Sequence, residues 1–258
     1  MRIVIKIGTS TLTYATGNLH IRHVETLCKV ISDLKNAGHE IILVSSGAIG
    51  MGTGKLGLPE RPKDMPTKQA AAAVGQCELM YFYDKLFSEY NHTVGQILIT
   101  GSDLENAQRN QNFRNTVERL LELKVLPVIN ENDTVATEEI AVGDNDTLAA
   151  IVATVASANL LILLSDIDGL YTADPHKDPD AKLIPDVFEI SEEILALAGG
   201  AGSELGTGGM KTKLSAASLC TESGTDMVIA NGSEPELLYG IVDGEPIGTK
   251  FHKKASNI

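Results

Sequence analysis

Short apolar runs of strand length alternate along the chain with longer segments in which apolar residues recur at helical spacing. The first run, Arg2–Ile7, is followed after a polar turn by residues 21–35, where Val24, Leu27 and Ile31 fall on one helical face. The pattern predicts strands at residues 2–7, 41–44, 96–99, 125–129, 160–164 and 226–230. It predicts helices at residues 21–35, 68–90, 103–124, 146–156 and 210–222, and a short helix after Ser233.

The predicted strands are apolar on both faces and are separated by helices, which is typical of a parallel sheet covered on both sides. We therefore predict an α/β fold in one domain, since the sequence contains no linker and no internal repeat. Pro127 argues against a central place for its strand, because proline cannot donate to a ladder. Residues 50–66 and 189–209 are expected to be loops.

The charge and composition of the chain argue against several classes of function. The chain has 34 acidic and 21 basic residues, a net charge of −13, which argues against a nucleic-acid partner or an anionic membrane surface. Any anionic ligand must therefore meet a few locally placed cations. Cys28, Cys77 and Cys220 lie far apart and suggest neither a disulfide framework nor a zinc site. The early charge in MRIVIKIGTS excludes a signal peptide, and no apolar run approaches about 18 residues, so we expect a cytoplasmic protein.

Two predicted strands end in glycine-containing loops that could hold phosphate. Lys6 and Gly8 close the first strand, and Ser46 and Gly47 follow the second. Glycine lets backbone N–H groups approach a ligand, and a neighbouring lysine adds positive charge. The alternative is that Lys6 ends a strand and that both glycines only make turns. In contrast, Gly52-Thr-Gly-Lys-Leu-Gly57 matches GxGxxG but lies beyond the strand end with no clear helix opening on it, which argues against a dinucleotide site.

A second glycine-rich stretch, residues 206–209, opens the helix that carries Lys211 and Lys213. A helix N-terminus entered through glycines is suited to an anion. Residues two apart on a helix point to nearly opposite sides, so only one of the two lysines should face such a ligand. The sequence does not decide which one, and the stretch could also be a plain loop that ends in surface lysines.

Polar side chains follow two further strands. Asp133 ends the loop at residues 130–133, and Asn145 and Asp146 lie where the next helix opens. Asp133 could accept from a substrate ammonium group, and Asp146 could orient lysines or assist a metal ion. Helix capping alone would also explain acidic and amide residues at such a position. No Ser/His/Asp arrangement stands out, so covalent hydrolase chemistry finds no support.

Taken together, six motifs resemble the amino acid kinase superfamily and, within it, the glutamate 5-kinase family. They are IKIGTS, VSSGAIG, VINENDTVAT, VGDNDTLAA, LLSDIDGLYTADP and GTGGMKTK, in this order. The resemblance implies a three-layer α/β/α sandwich with a mainly parallel central sheet. It also implies a single domain over residues 1–258, with glutamate bound by the N-terminal part and ATP by the C-terminal part. Most members of that family carry a C-terminal PUA domain, which we expect to be absent here because the sequence stops soon after GTKFHKK.

The implied reaction transfers the γ-phosphoryl group of ATP to the side-chain carboxylate of L-glutamate. By resemblance, Lys6 and Lys213 contact the transferring group and Asp146 organises these lysines, which selects Lys213 over Lys211 as the phosphoryl contact. The implied glutamate-binding residues are Ser46, Gly47, Asp133 and Asn145. The implied ATP-binding residues are Lys6, Gly8, Ser165, Asp166, Thr207, Gly208, Gly209, Met210, Lys211, Thr212 and Lys213.

The resemblance further implies Mg²⁺ carried by the ATP phosphates without a dedicated protein metal site, proline as a feedback inhibitor, and a homodimer or homotetramer. Because a carboxylate is already ionised at neutral pH, no general base is expected. The alternatives are a related kinase for another carboxylate, such as N-acetylglutamate or aspartate, and a non-catalytic amino-acid sensor. Lys6, Lys213 and Asp146 together argue against the sensor, which has no need of phosphoryl-contacting lysines.

Overall fold

A mostly parallel sheet forms the centre of the computed structural model, which describes residues 1–14, 16–136, 145–175, 177–198 and 209–254. Within these ranges the strands are β1 (Arg2–Ile7), β2 (Glu40–Ser45), β3 (Val94–Ile99), β4 (Leu126–Glu131), β5 (Leu160–Ser165), β6 (Asp186–Val187), β7 (Asp226–Asn231) and β8 (Thr249–Phe251). Their order across the sheet is β3-β4-β2-β1-β5-β7-β8-β6. Every pairing is parallel except that of β7 with β8.

Helices cover both faces of this sheet. They are α1 (Thr9–Leu12), α2 (Ile21–Asn36), α3 (Ala48–Lys55), α4 (Met65–Ser88), α5 (Gly101–Glu105), α6 (Ala107–Glu122), α7 (Asn145–Val155), α8 (Glu192–Leu197), α9 (Met210–Glu222) and α10 (Leu237–Asp243). One buried cluster joins the sheet to α6, α7 and α9, and a second joins it to α2, α4 and α10. The predicted three-layer α/β/α sandwich is therefore confirmed.

The central strands consist almost entirely of buried apolar residues. In β5 every residue is buried, and in β1 only Arg2 and Lys6 retain partial exposure. Lys6 pairs in register with Val44 of β2 on one side and with Leu163 of β5 on the other. The sheet thus holds Lys6 at its centre, near the carboxyl ends of its strands.

Pro127 occupies a strand that is one place in from the edge. It lies opposite Gly95 of β3, whereas the pairing of β4 with β2 begins one residue later, at Val128. The proline nitrogen, which cannot donate a hydrogen bond, therefore lies before the first residue pair of β4 with β2. It removes no hydrogen bond from that pairing.

The expectation of a loop at residues 50–66 is wrong for its first part, because α3 runs through residue 55. Here glycines allow two helices to cross closely. A Cβ on Gly52 would lie 1.8 Å from the carbonyl oxygen of Ala71, and one on Gly75 would lie 1.7 Å from that of Ala48. The GxGxxG match thus includes a helix-packing contact between α3 and α4.

Two further differences from the sequence-based elements have local causes. The helix predicted at 103–124 is divided at Asn106, whose extended backbone (ψ 115°) ends α5 and whose side chain caps α6 by accepting from the Arg109 N–H. The loop predicted at 189–209 contains α8, which Ser191 caps. The rest of that segment, residues 199–208, lies outside the described part of the chain.

Candidate active site

The carboxyl ends of the parallel strands bring most of the predicted site residues to one edge of the sheet. Lys6 lies near the end of β1, Ser46 directly follows β2, and Ser165 is the last residue of β5. The helices that carry Asp146 and Lys213 begin at the same edge. Ligands of open α/β sheets bind there, outside the strand ends.

A fully buried carboxylate joins two lysines at this edge. The Nζ atom of Lys6 lies 2.6 Å from Oδ1 of Asp146, and the Nζ atom of Lys213 lies 2.9 Å from Oδ2. Burial by itself would raise the pKa of Asp146, but the two ammonium groups outweigh it and hold this pKa below its usual range. The carboxylate therefore stays charged and fixes both lysine side chains.

Packing of α9 against α7 decides between the two lysines of the GTGGMKTK motif. Lys213 is buried, with 7% of its side chain exposed, and points at Asp146. Lys211 is exposed. The hydroxyl oxygen of Thr212 also lies 3.4 Å from Asp146 Oδ2. The helical spacing left this choice open, and the structure places Lys213 inside the site.

A chain of amide groups runs beside the lysines. Nδ2 of Asn145 lies 2.8 Å from the backbone oxygen of Ser45, 2.7 Å from Oγ of Ser46 and 3.1 Å from Oδ1 of Asn130. Asn130 in turn donates through Nδ2 to Oε1 of Gln76, at 2.9 Å. Of the four side chains, Ser46 and Asn145 are partly exposed, whereas Asn130 and Gln76 are buried. The chain thus leads from α4 to the site.

Gly47 turns the backbone from β2 into α3. Its φ of 96° lies in the left-handed region, which glycine adopts without steric strain. Gly47, the N-cap of α3, has no side chain to cap the helix, and N–H groups of a first helical turn are suited to a bound anion. Gly47 and Ser46 therefore offer neighbouring donors at the site.

Asp133 lies in the turn after β4. Burial and, to a smaller extent, the charge of Glu131 raise the pKa of Asp133 to about 6, although the charge of Arg61 opposes the shift. A cavity of about 320 Å³ adjoins this turn. Its lining consists of Thr100, Ser102, Asp103, Arg109, Asn132, Val135 and Ala136. Asn132 and Val135 of the same turn line this cavity, whereas Asp133 itself does not.

Gly8 follows the end of β1, and Ser165 ends β5, the neighbour of β1 on the side away from β2. A Cβ on Gly8 would lie 3.8 Å from Nζ of Lys6 and 3.9 Å from the backbone oxygen of Leu164. Gly8 is also the N-cap of α1 and has no side-chain cap. The Ser165 hydroxyl donates to Oδ1 of Asp166 at 3.1 Å. The first and fifth strands therefore end together around Lys6.

The last residues of the GTGGMKTK motif form the N-terminus of α9. Gly209 is its N-cap, in extended conformation and with no side-chain cap, and Met210 is the first helical residue. The Thr212 hydroxyl donates to the carbonyl oxygen of Gly209 at 2.7 Å. Thr207 and Gly208 lie outside the described residues.

Comparison with known proteins assigns the family. The model of the amino acid kinase family matches residues 1–231. The chain belongs to the amino acid kinase family. It is 52% identical over 257 residues to glutamate 5-kinase of Clostridium perfringens (98% of this chain, 96% of the relative) and 55% identical over 253 residues to that of Clostridium acetobutylicum (98% and 95%). Listeria monocytogenes serovar 1/2a has a glutamate 5-kinase that is 52% identical over 257 residues (98% and 93%).

Solved structures agree with this assignment at the level of the fold. Carbamate kinase from Giardia lamblia bound to AMP-PNP matches with a TM-score of 0.69 at 16% identity, covering 98% of each chain. UMP kinase from Ureaplasma parvum matches with a TM-score of 0.67 at 16% identity, also over 98% of each chain. The amino acid kinase fold is thus shared with proteins that carry other kinase names.

Sequence reasoning missed two buried members of the amide chain of this amino acid kinase. Asn130 had a usable signal, because a run of polar residues directly follows an apolar strand there. Gln76 had a weaker one, as a single amide after a stretch of alanines, valine and glycine in α4. Its partner comes from β4, and only the tertiary structure brings the two together.

Within the described ranges, no three His, Cys, Asp or Glu side chains are placed so that they could hold a metal ion. Both oxygens of Asp146 contact lysines, so the donors at the site suit phosphate oxygens.

Cys28, Cys77 and Cys220 form no disulfide. Among the residues described, no helix is long and apolar enough to cross a membrane.

Proposed function

We propose that this amino acid kinase transfers the γ-phosphoryl group of ATP to the side-chain carboxylate of L-glutamate, giving L-glutamyl 5-phosphate, the first step of proline biosynthesis. Glutamate 5-kinases that are 52–55% identical over nearly the whole chain support the substrate pair. The structural observation that carries the proposal is the buried contact of Asp146 with both Lys6 and Lys213.

In the proposed reaction, a carboxylate oxygen of glutamate forms a bond to the γ-phosphorus of ATP. The bond from that phosphorus to the β,γ-bridging oxygen breaks, and ADP leaves with the electron pair. No proton has to be removed from the nucleophile, because a glutamate side chain is ionised at neutral pH. Catalysis then consists of positioning and of charge stabilisation on the transferring oxygens.

Lys6 and Lys213 would supply that positive charge. They approach Asp146 from β1 and from α9, so the carboxylate holds ammonium groups from distant parts of the chain in one place. Preorganised charge of this kind needs no rearrangement when the transition state forms. In a protein with a net charge of −13, these two lysines are the local cations that an anionic substrate requires.

Ser46, Gly47, Asn145 and Asp133 would bind glutamate. The carboxyl group of Asp133, which is ionised above about pH 6, would accept from the substrate ammonium. Ser46 and the backbone at Gly47 would donate to a substrate carboxylate. A free ammonium partner of this kind favours glutamate over N-acetylglutamate.

The nucleotide would lie against Gly8, Ser165, Asp166 and residues 207–213. The N-terminal part of a single domain would thus bind the amino acid, and the C-terminal part would bind ATP. Mg²⁺ would be carried by the ATP phosphates, whose charge it offsets, because the surrounding donors are mainly ammonium and N–H groups.

The family resemblance supports two further parts of the proposal, proline as a feedback inhibitor and a homodimer or homotetramer. A cytoplasmic location agrees with three cysteines that form no disulfide.

A coupled assay of ADP release tests the proposed reaction. With ATP, Mg²⁺ and L-glutamate, ADP should form, and hydroxylamine should trap the acyl phosphate as a hydroxamate. N-acetylglutamate and L-aspartate serve as alternative acceptors, and a proline titration tests the inhibitor. Faster turnover with either alternative acceptor would reassign the substrate. Glutamate binding without ADP release would instead support the amino-acid sensor.

A further inference from the structure

Gln76 is a buried amide that the proposed reaction does not use. It lies on α4 with 7% of its surface exposed, and its Oε1 accepts from Nδ2 of Asn130 at 2.9 Å. Its own Nε2 is buried and has no hydrogen-bond partner among the described residues. An unpaired buried donor is unusual enough to require a reason.

The geometry points to Gln76 as a positioning residue for the amino-acid substrate: through Asn130 and Asn145 it orients the Ser46 hydroxyl as a hydrogen-bond donor toward the ligand. This inference rests on the proposed binding of glutamate at Ser46. Gln76 itself would touch neither the substrate nor the nucleotide, because two amides stand between it and the site.

Two hydrogen bonds to its oxygen fix the orientation of the Asn130 amide. Its Oδ1 accepts from the backbone N–H of Glu131 at 2.9 Å and from Nδ2 of Asn145 at 3.1 Å. With the oxygen committed on that side, its NH₂ group must face Gln76. Gln76 must then present its oxygen, because two NH₂ groups cannot bond to each other. The Gln76 NH₂ group is therefore turned away from Asn130.

Asn145 in turn determines the role of the Ser46 hydroxyl in this hydrogen bond. The two hydrogens of the Asn145 NH₂ group are shared among three acceptors, one of which is the Ser46 hydroxyl oxygen at 2.7 Å. Ser46 therefore accepts from Asn145, and its own hydrogen is free to point elsewhere. Ser46 is partly exposed at the sheet edge, so that hydrogen can point to a bound carboxylate. If the amides of Gln76, Asn130 and Asn145 were all turned around, Asn145 would present its oxygen to Ser46. The Ser46 hydroxyl would then donate to Asn145 and direct a lone pair toward the substrate.

Gln76→Met tests this role, because methionine has a similar length but presents no comparable acceptor to Asn130. We expect the KM for glutamate to rise about tenfold, the effect of losing roughly one hydrogen bond. The KM for ATP should stay within about twofold, since the amide chain does not reach the nucleotide side. Gln76→Glu keeps an oxygen toward Asn130 and should recover most of the glutamate affinity.

Tyr83→Phe is the matched control. Tyr83 lies on the same helix and its hydroxyl makes a buried hydrogen bond of 2.9 Å with Ser45 Oγ, whereas Asn145 contacts Ser45 only at its backbone oxygen. It should change the KM for glutamate by less than about twofold, although it also removes one buried hydrogen bond. Thermal unfolding of each variant separates folding defects from binding defects. If Gln76→Met does not fold, Gln76→Ala is measured in its place.

Three results would overturn the inference: a glutamate KM within twofold of wild type in the Met or Ala variant, an equal rise in the KM for ATP, or no recovery in Gln76→Glu. Wild-type protein without glutamate-dependent ADP release would instead contradict the proposed function. The two failures are therefore distinguishable.

Discussion

The Nζ atom of Lys6 lies 2.6 Å from Oδ1 of Asp146, although one residue belongs to the first strand and the other to the first turn of α7. The same carboxylate holds Lys213 on its other oxygen. Neither lysine has more than 12% of its side chain exposed. Without the carboxylate, two largely desolvated ammonium groups would repel each other at the centre of the site.

Asp146→Asn should therefore damage both stability and turnover. We expect a loss of about 3–5 kcal/mol in the free energy of unfolding, as when one partner of a buried ion pair is removed. We expect kcat to fall by about 10²-fold or more, because the lysines lose their fixed positions. Urea unfolding and the ADP-release assay measure the two effects.

Glu78→Gln provides the control for Asp146→Asn. It removes a partner of the more exposed pair with Lys55 and should shift the free energy of unfolding by less than about 1 kcal/mol. Equal destabilisation by the two substitutions would show that the buried contact has no special structural role.

Lys213→Ala should lower kcat by about 10²-fold or more while leaving the KM for glutamate nearly unchanged. The reason is that its charge is proposed to act on the transferring phosphoryl group. Lys85→Ala, which removes an exposed lysine of α4, is the control and should retain wild-type turnover. A normal kcat combined with a raised glutamate KM would move Lys213 to the amino-acid side of the site.

Asp133→Ala should raise the KM for glutamate much more than the KM for ATP, because the carboxyl group is proposed to meet the substrate ammonium. In the wild-type protein the KM for glutamate should rise as the pH falls through about 6, where Asp133 becomes protonated. Asp133→Asn should remove that pH dependence. Equal effects on both substrates would place Asp133 outside the amino-acid site.

The raised pKa of Asp133 also predicts how stability changes with pH. In the unfolded chain the carboxyl group of Asp133 loses its proton at about pH 4. In the folded protein it keeps the proton until the pH passes about 6. This group therefore lowers the free energy of unfolding as the pH rises across that window. Glutamate-free Asp133→Asn should be more stable than wild type at pH 7.5, with a smaller difference at pH 4.5. Urea unfolding at both values checks the sign, and a constant difference would contradict it.

Gly75→Ala should destabilise the protein, because its Cβ would lie 1.7 Å from the carbonyl oxygen of Ala48. Backbone cannot yield as a flexible side chain does, so we expect a loss of about 3 kcal/mol or more, at or above the upper end for overpacking. Ala73→Ser adds one atom on the exposed side of the same helix and should have little effect. Thermal unfolding compares the two, and equal midpoints would mean that the helices separate easily.

The central strands could be predicted because each is a short run of apolar residues that ends in polar ones, as in β5 and β1. β6 and β8 were missed because they contain only two and three residues and depend on their neighbours. Helix α3 was missed because its glycines indicate a loop when read alone. Their meaning comes from α4, a separate segment that packs against them.

The meeting of Lys6 with Asp146 could be predicted, because one lies near a strand end, the other lies at a helix start, and both belong to the same edge of a parallel sheet. The site could not be predicted where two positions satisfy the same local pattern. Lys211 and Lys213 are equivalent in that respect, and only the packing of α9 on α7 separates them. Gln76 depends on Asn130, which is distant in sequence and reaches it only through the fold.

β1 is the first strand in the sequence but lies in the interior of the sheet, between β2 and β5. During synthesis, one side of β1 therefore stays unpaired until residues 160–165 have left the ribosome. For that period the nascent chain presents an apolar strand edge, a form prone to aggregation. The arrangement that places Lys6 at the centre of the site thus makes the completion of the sheet around β1 depend on a segment that is synthesised much later.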